Sequence, residues 1–198
     1  FKHLSSCGLA MSLAAGIRAA MGSDLDIRKW LDLVAIGTVA DVVPLEGDNR
    51  ALVRAGMRML EQGLRPGIRH LADHARIPIF AGVTSDTIAF DIAPRINAPG
   101  RLGSPQPALA LLMAQDALEA RDLAIKVEAL RTERRLIQDR ILREAFDEIE
   151  EKGFGSDPAI VLGRRGWHPG IVGIVASQIT EKFRKPSVVI AFDDKGGR

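Results

Sequence analysis

The chain has 198 residues, enough for one good core or two small ones. Its 46% apolar and 26% charged residues exclude a disordered chain, and a formal net charge of +2 leaves a local phosphate-binding face allowed but not required. One cysteine, Cys7, excludes an internal disulfide framework or a thiolate metal cage, and it suits a reducing cytoplasm.

No apolar run approaches the roughly 18 residues of a membrane span, so no membrane partner is expected. Nothing at Phe1-Lys-His-Leu4 reads as a signal peptide. There is no initiator Met, and the chain stops at Asp193-Asp-Lys-Gly-Gly-Arg198, just after an apparent buried strand. The expectation is a piece of a longer protein.

In chain order, residues 4–21 have helical Ala/Leu/Met spacing and end at Gly22-Ser23-Asp24. A continuous apolar run follows from Leu31 to Val39, interrupted by Asp32 and Gly37, and turns at Ala40-Asp41. Asp48-Asn49 reads as the cap of a helix running to Gln62, with Gly63 as its stop. Arg69 to Ala75 is a short helix. Residues 78–100 are punctuated by Pro and Gly and read as loop. Ser104-Pro105 opens another helix to Met113.

From Asp116 to Lys152 there is neither Gly nor Pro. Leu123, Val127, Leu130, Ile137, Ile141, Ala145 and Ile149 form one narrow apolar stripe on a long helix, suited to bridging two domains or to packing on one core. Beyond it, Ala159-Ile-Val-Leu162 and Pro186 to Phe192 read as two buried strands around a glycine-rich turn and a helix closing near Lys182. That is a βαβ outline with His168 at the helix mouth. Amides at such a helix start are free to bind an anion.

Several residues can carry chemistry. Asp41, at the edge of an apolar element, is either a cap or a divalent-cation ligand. Arg95, Asn97 and Arg101 can bind phosphate from a glycine-rich loop, or the arginines can pair with surface acids. His168 can donate to phosphate, ligate a metal, act as general acid, or cap the helix. Trp167 can stack on a base or anchor the core. His70 and His74 share a helix face but lack a third ligand, so no metal site is expected there. Arg134-Arg135 reads as a solvated helix face, whereas Arg164-Arg165 lies in the glycine-rich turn and can reach a phosphate backbone.

Three motifs together resemble one family. Gly37-Thr-Val-Ala-Asp-Val-Val-Pro-Leu45, Ala93-Pro-Arg-Ile-Asn-Ala-Pro-Gly-Arg-Leu-Gly103 and Gly166-Trp-His-Pro-Gly-Ile-Val-Gly-Ile-Val-Ala-Ser177 have the order and spacing of RecJ-type single-strand-specific exonucleases, of the Asp-His-His phosphoesterase superfamily.

The resemblance implies an α/β fold in three parts. Residues 1–115 would be the C-terminal part of the metal-bearing phosphoesterase domain, residues 116–152 a connecting long helix, and residues 153–198 the start of a substrate-binding α/β domain. It implies two Mn²⁺ or Mg²⁺ ions in the intact protein and 5′-to-3′ hydrolysis of single-stranded DNA in repair and recombination. The substrate would carry a 5′ phosphate, and a single-strand-binding protein and a helicase are implied partners. By position, Asp41 matches the last acidic metal ligand, and Arg95, Asn97 and Arg101 match a DNA-contacting segment. Trp167, His168, Gly170 and Ser177 match the second-domain motif near the strand, with Asp41 and His168 as the catalytic candidates.

There are departures from the pattern. Neither the Asp-x-Asp nor the Asp-His-His motif occurs, and the Gly-Ser-x-Arg-Ser segment expected beyond Arg198 is missing. Gln178 stands where Arg is common, and Pro99 where Ala is usual. The 198 residues alone are therefore expected to be inactive. The rival readings are a hydrolase of short oligonucleotides or cyclic dinucleotides, and a non-catalytic nucleic-acid-binding scaffold.

Overall fold

A computed structural model describes residues 3–194 together with 196 and 197. The first two residues and the final Arg198, on which the readings of the two chain ends partly rest, lie outside the described residues. The chain divides into two compact units. One takes the residues up to Asn97 with Pro107–Glu128, and the other takes Ala98–Gln106 with the residues from Ala129 onward.

The first unit is helical among its described residues. Helix α1 (Ser6–Ala20) starts where the Ser5 hydroxyl accepts from the Gly8 amide at 3.1 Å. Helix α2 (Leu31–Ala40) is the apolar run itself. Val34, Ala35, Ile36 and Val39 are buried, as expected of a helix that is apolar on nearly all sides. Helix α3 (Gly47–Gln62) ends at Gly63 in the left-handed region, φ 59°, as its position in the sequence predicts.

The start of α3 differs from the expectation. Glu46 is the cap residue, with no side-chain cap bond, and Asp48 lies in the first turn. Asn49 is fully buried instead of capping: its amide donates to the carbonyls of His3 (2.6 Å) and Pro44 (3.0 Å), so it ties two chain segments together. Helix α4 (Pro66–Ala75) begins earlier than its apolar spacing shows, because Pro66 is preorganised for a first helical turn.

The expected loop before Gly103 is helical. A π-helical turn over Thr87–Ile92 runs straight into α5 (Ala93–Leu102). The reason lies in Pro94, which has no amide to donate and whose ring crowds the carbonyl four residues back. A wide π turn immediately before it relieves that crowding, and the Ala93 amide bonds five residues back to Ile88. Pro99 is tolerated near the C-terminal end, and Gly103 at φ 157° closes the segment.

Helix α6 (Gln106–Met113) and long helix α7 (Ala117–Lys152) follow. Asp116 caps α7: its carboxylate accepts from the amides of Leu118 and Glu119, both at 2.9 Å. Asp116→Ala is expected to lower stability by about 1 kcal/mol, read as a small drop in Tm. A cap left frayed in the native chain would show no change.

The first unit packs Ala35, Val53, Leu60, Ile68, Ile79, Ile88 and Ile92 into one core. Leu71, Leu111, Ala124 and Val127 form a smaller cluster, the last two from the start of α7. Gly67 permits this, since a Cβ there would lie 1.8 Å from the Leu111 carbonyl oxygen.

The second unit holds the strands found among the described residues. Strands β1 (Ile160–Arg165) and β2 (Ser187–Asp193) pair in parallel, with Ile160 opposite Ser187 and Arg165 opposite Phe192. Helix α8 (Val172–Phe183) is the crossover between them, so the βαβ outline is observed. A two-residue strand β3 (Gly196–Gly197) pairs antiparallel to β2. Ile141, Ala145 and Ile149 of α7 pack with Ile160, Leu162, Ile171, Val175 and Ile179 as the core. One helix thus supplies apolar residues to both units, Val127, Ile141, Ala145 and Ile149 at positions the stripe marks in the sequence and Ala124 beside it.

Candidate nucleic-acid interface

In the first unit, Asp41 follows the last residue of α2. Its amide donates to the Gly37 carbonyl at 3.1 Å, and its side chain is exposed. The next residue, Val42, is 87% exposed at φ 56°. A β-branched residue in the left-handed region carries strain of order 1–3 kcal/mol, and such strain clusters at functional sites.

Helix α1 supports this corner. The Ser5 and Thr38 hydroxyls share a buried 2.8 Å hydrogen bond, and Cys7 packs so tightly on Gly37 that a Cβ there would lie 2.2 Å from its sulfur. Burial, and then the Asp41 carboxylate, push the Cys7 thiol above its ordinary pKa, which favours the neutral thiol that packs on Gly37. Among the described residues no three His, Cys, Asp or Glu side chains cluster in a way that could hold a metal ion. One carboxylate does not hold a divalent cation that takes six or more oxygens. The residues present do not by themselves fit a two-ion centre.

Arg95 sits inside the first unit, 7% exposed, with Nε 2.7 Å from Glu128 and Nη1 donating to the Asp91 carbonyl. Its guanidinium is committed to fixing the bent π–α junction. Asn97, two residues further along α5, is exposed.

The second unit gathers the remaining candidates. Arg101 is exposed and makes a long 3.5 Å contact with the Gly170 carbonyl. The two backbones nearly touch: a Cβ on Gly170 would lie 2.0 Å from the Arg101 carbonyl oxygen. The second and third motifs therefore meet at Arg101 and Gly170.

The entry to α8 is not the open row of amides that the sequence suggests. The Gly170 amide donates to His168 Nδ1 at 3.1 Å, and the Ile171 and Val172 amides both donate to the His168 carbonyl. The histidine closes its own turn. An imidazole accepting at Nδ1 carries its proton on Nε2 when neutral, which leaves that N–H as the donor for a ligand. Ser177 is exposed, with its hydroxyl donating to the Gly173 carbonyl at 3.1 Å.

Trp167 is 4% exposed, with Nε1 donating to Glu144 at 2.7 Å, and so anchors the loop in the core. Arg164 lies 5.7 Å from its ring and bonds Glu148 at 3.0 Å. Lys152, and then Arg164, hold the Glu148 carboxyl below its ordinary pKa. Arg165 meets Asp194 at 2.9 Å. Sequence reasoning missed these acidic partners, because Glu144 and Glu148 look like ordinary charges on a solvated helix.

No family model matches the chain. The single-stranded-DNA-specific exonuclease RecJ of Bacillus subtilis (strain 168) is 36% identical over 197 residues, which take in 100% of this chain and 24% of that protein. The crystal structure of RecJ from Thermus thermophilus in complex with Mg²⁺ superposes with a TM-score of 0.82 at 36% identity, over 93% of this chain and 28% of that one.

The chain is homologous to one segment of RecJ.

A crystal structure of exonuclease RecJ bound to manganese agrees, with a TM-score of 0.81 at 36% identity over 93% of this chain and 46% of its own. The fold is the α/β fold of those RecJ structures. The chain spans 24% to 46% of the lengths of these three relatives.

Proposed function

We propose that this chain is part of a metal-dependent 5′-to-3′ exonuclease that hydrolyses single-stranded DNA in repair and recombination. The observation that carries this reading is homology over the whole chain to proteins named single-stranded-DNA-specific exonuclease. It is supported by an exposed Asp41 beside a strained residue, and by Arg101 joined to the His168–Gly170 turn.

In this reading Asp41 is one carboxylate of an Mn²⁺ or Mg²⁺ centre, and the other ligands come from outside the matched segment. Relatives described with Mg²⁺ and with manganese support the choice of ions. Arg101, Asn97 and the Nε2–H of His168 contact the phosphates of the strand. Arg95 and Trp167 hold those groups in place from within, Gly170 lets the backbones approach, and Ser177 lines the same segment. The preferred end carries a 5′ phosphate, and single-strand-binding protein and a helicase supply the strand.

The test uses the full-length protein with Mn²⁺ and a long 5′-phosphorylated single strand. Stepwise loss from the 5′ end is expected, and Asp41→Ala should lower it by more than about 100-fold, since losing even an outer-shell partner costs 10- to 100-fold. The 198-residue chain alone should show no hydrolysis, and Mn²⁺-dependent cleavage by it would overturn that part. Turnover of dinucleotides only would replace the substrate, and tight binding without turnover would replace catalysis by scaffolding.

A further inference from the structure

The Arg134-Arg135 pair, which the sequence presents as a solvated helix face, is split by the fold. Arg135 remains exposed and lies 3.9 Å from Asp139. Arg134 turns inward and is half-buried, with its Nε shut off from solvent and without a hydrogen-bond partner. Two other inward-facing arginines meet carboxylates, Arg65 at 2.6 Å and Arg95 at 2.7 Å.

Arg134 instead meets an amide. Its Nη1 donates to the Gln138 oxygen, and the Gln138 amide donates to Gln178 of α8 at 3.1 Å. Gln138 is itself 9% exposed. Burial, then the positive charges of Arg101 and Arg131, push the Arg134 guanidinium below its ordinary pKa against the smaller opposing pull of the Asp139 carboxylate, though it stays charged at neutral pH. A partly desolvated cation, crowded by like charge and held by neutral amides, is poorly compensated within the chain. An oxyanion on the open side of the guanidinium would supply the missing charge.

We infer that Arg134, held by Gln138 and Gln178 and flanked by Arg101, forms a subsite for a backbone phosphate of the single strand. This rests on the nucleic-acid reading above. The subsite adds a long-helix residue to a strand path otherwise drawn from the motifs of α5 and the His168 turn. Its amide clamp fixes the guanidinium without neutralising it, as a site for a diester phosphate requires.

The test measures binding of a fluorescent oligothymidylate to the 198-residue chain across a NaCl series. Arg134→Gln should weaken binding roughly 10- to 100-fold, as loss of a charged hydrogen bond implies, and lower the log–log salt slope by about 1. Arg134→Lys should keep the slope and lose part of the affinity, because it retains charge without the fork.

A direct readout on the unsubstituted chain is the Arg134 Nε–H resonance, expected to shift on titration with inorganic phosphate. Binding by the unsubstituted chain, with Arg134→Gln unchanged in affinity and slope, would overturn the subsite and leave the function standing. A phosphate titration that leaves that resonance still would overturn it as well. No binding of the oligonucleotide by the unsubstituted chain would overturn both.

Discussion

Asp32→Ala is expected to cost about 3–5 kcal/mol, because it strands a buried guanidinium. Asp32 and Arg65 have side chains only 6% and 15% exposed. Arg65 grips the carboxylate with Nε at 2.6 Å and Nη2 at 3.0 Å, while Nη1 and Nη2 reach the carbonyls of Leu112 and Lys29. One guanidinium therefore joins α2, the entry to α4 and the end of α6.

Asp32 also accepts from the Leu33 amide at 2.8 Å in the first turn of α2, where a negative charge is favoured. Urea unfolding of the single and double variants reads the effect. Asp32→Ala with Arg65→Met should recover part of the loss, since a buried pair replaced as a whole is far less costly than one broken. A single-variant loss below about 1 kcal/mol would mean that the pair is screened like a surface salt bridge, and the assignment would fail.

Gly170→Ala should be the most damaging small change in the second unit. The added Cβ would lie 2.0 Å from the Arg101 carbonyl oxygen, so one backbone segment must move, at a cost of about 1–3 kcal/mol. The turn closed by the Gly170 amide on His168 moves with it, so oligonucleotide binding should fall further than stability does.

Gly173, three residues on, provides the control. A Cβ there meets nothing within 4 Å, and the position lies inside α8. Gly173→Ala should therefore be neutral, or stabilising by about 0.5–1 kcal/mol, through helix propensity. Thermal melts and binding isotherms of the two variants decide the matter. Equal behaviour would show that the close approach at Gly170 has no consequence.

The sequence by itself determined what depends on neighbours in the chain. Asp116 caps α7 because its carboxylate reaches amides two and three residues away, and Gly63 ends α3 because glycine tolerates a left-handed stop. The stripe from Leu123 to Ile149 and the two apolar strands around the glycine-rich turn state α7 and the βαβ unit through spacing alone. The three motifs point to the RecJ relationship, which the matches over the whole chain bear out.

Only the tertiary structure decided which partners the charged candidates meet. Pro and Gly in residues 93–103 spell a loop locally, but a π turn ahead of Pro94 makes that segment a helix. Arg95 reads as a phosphate ligand until Glu128, 33 residues away, is packed against it. Trp167 is held by Glu144, 23 residues back, and Asp32, a mere interruption in an apolar run, meets Arg65 across 33 residues. Arg134 and Arg135 are adjacent and chemically identical, yet one is clamped inward and the other is solvated. Caps and periodicity act over one turn of chain, so they can be read in order; which carboxylate meets which guanidinium depends on how whole elements pack.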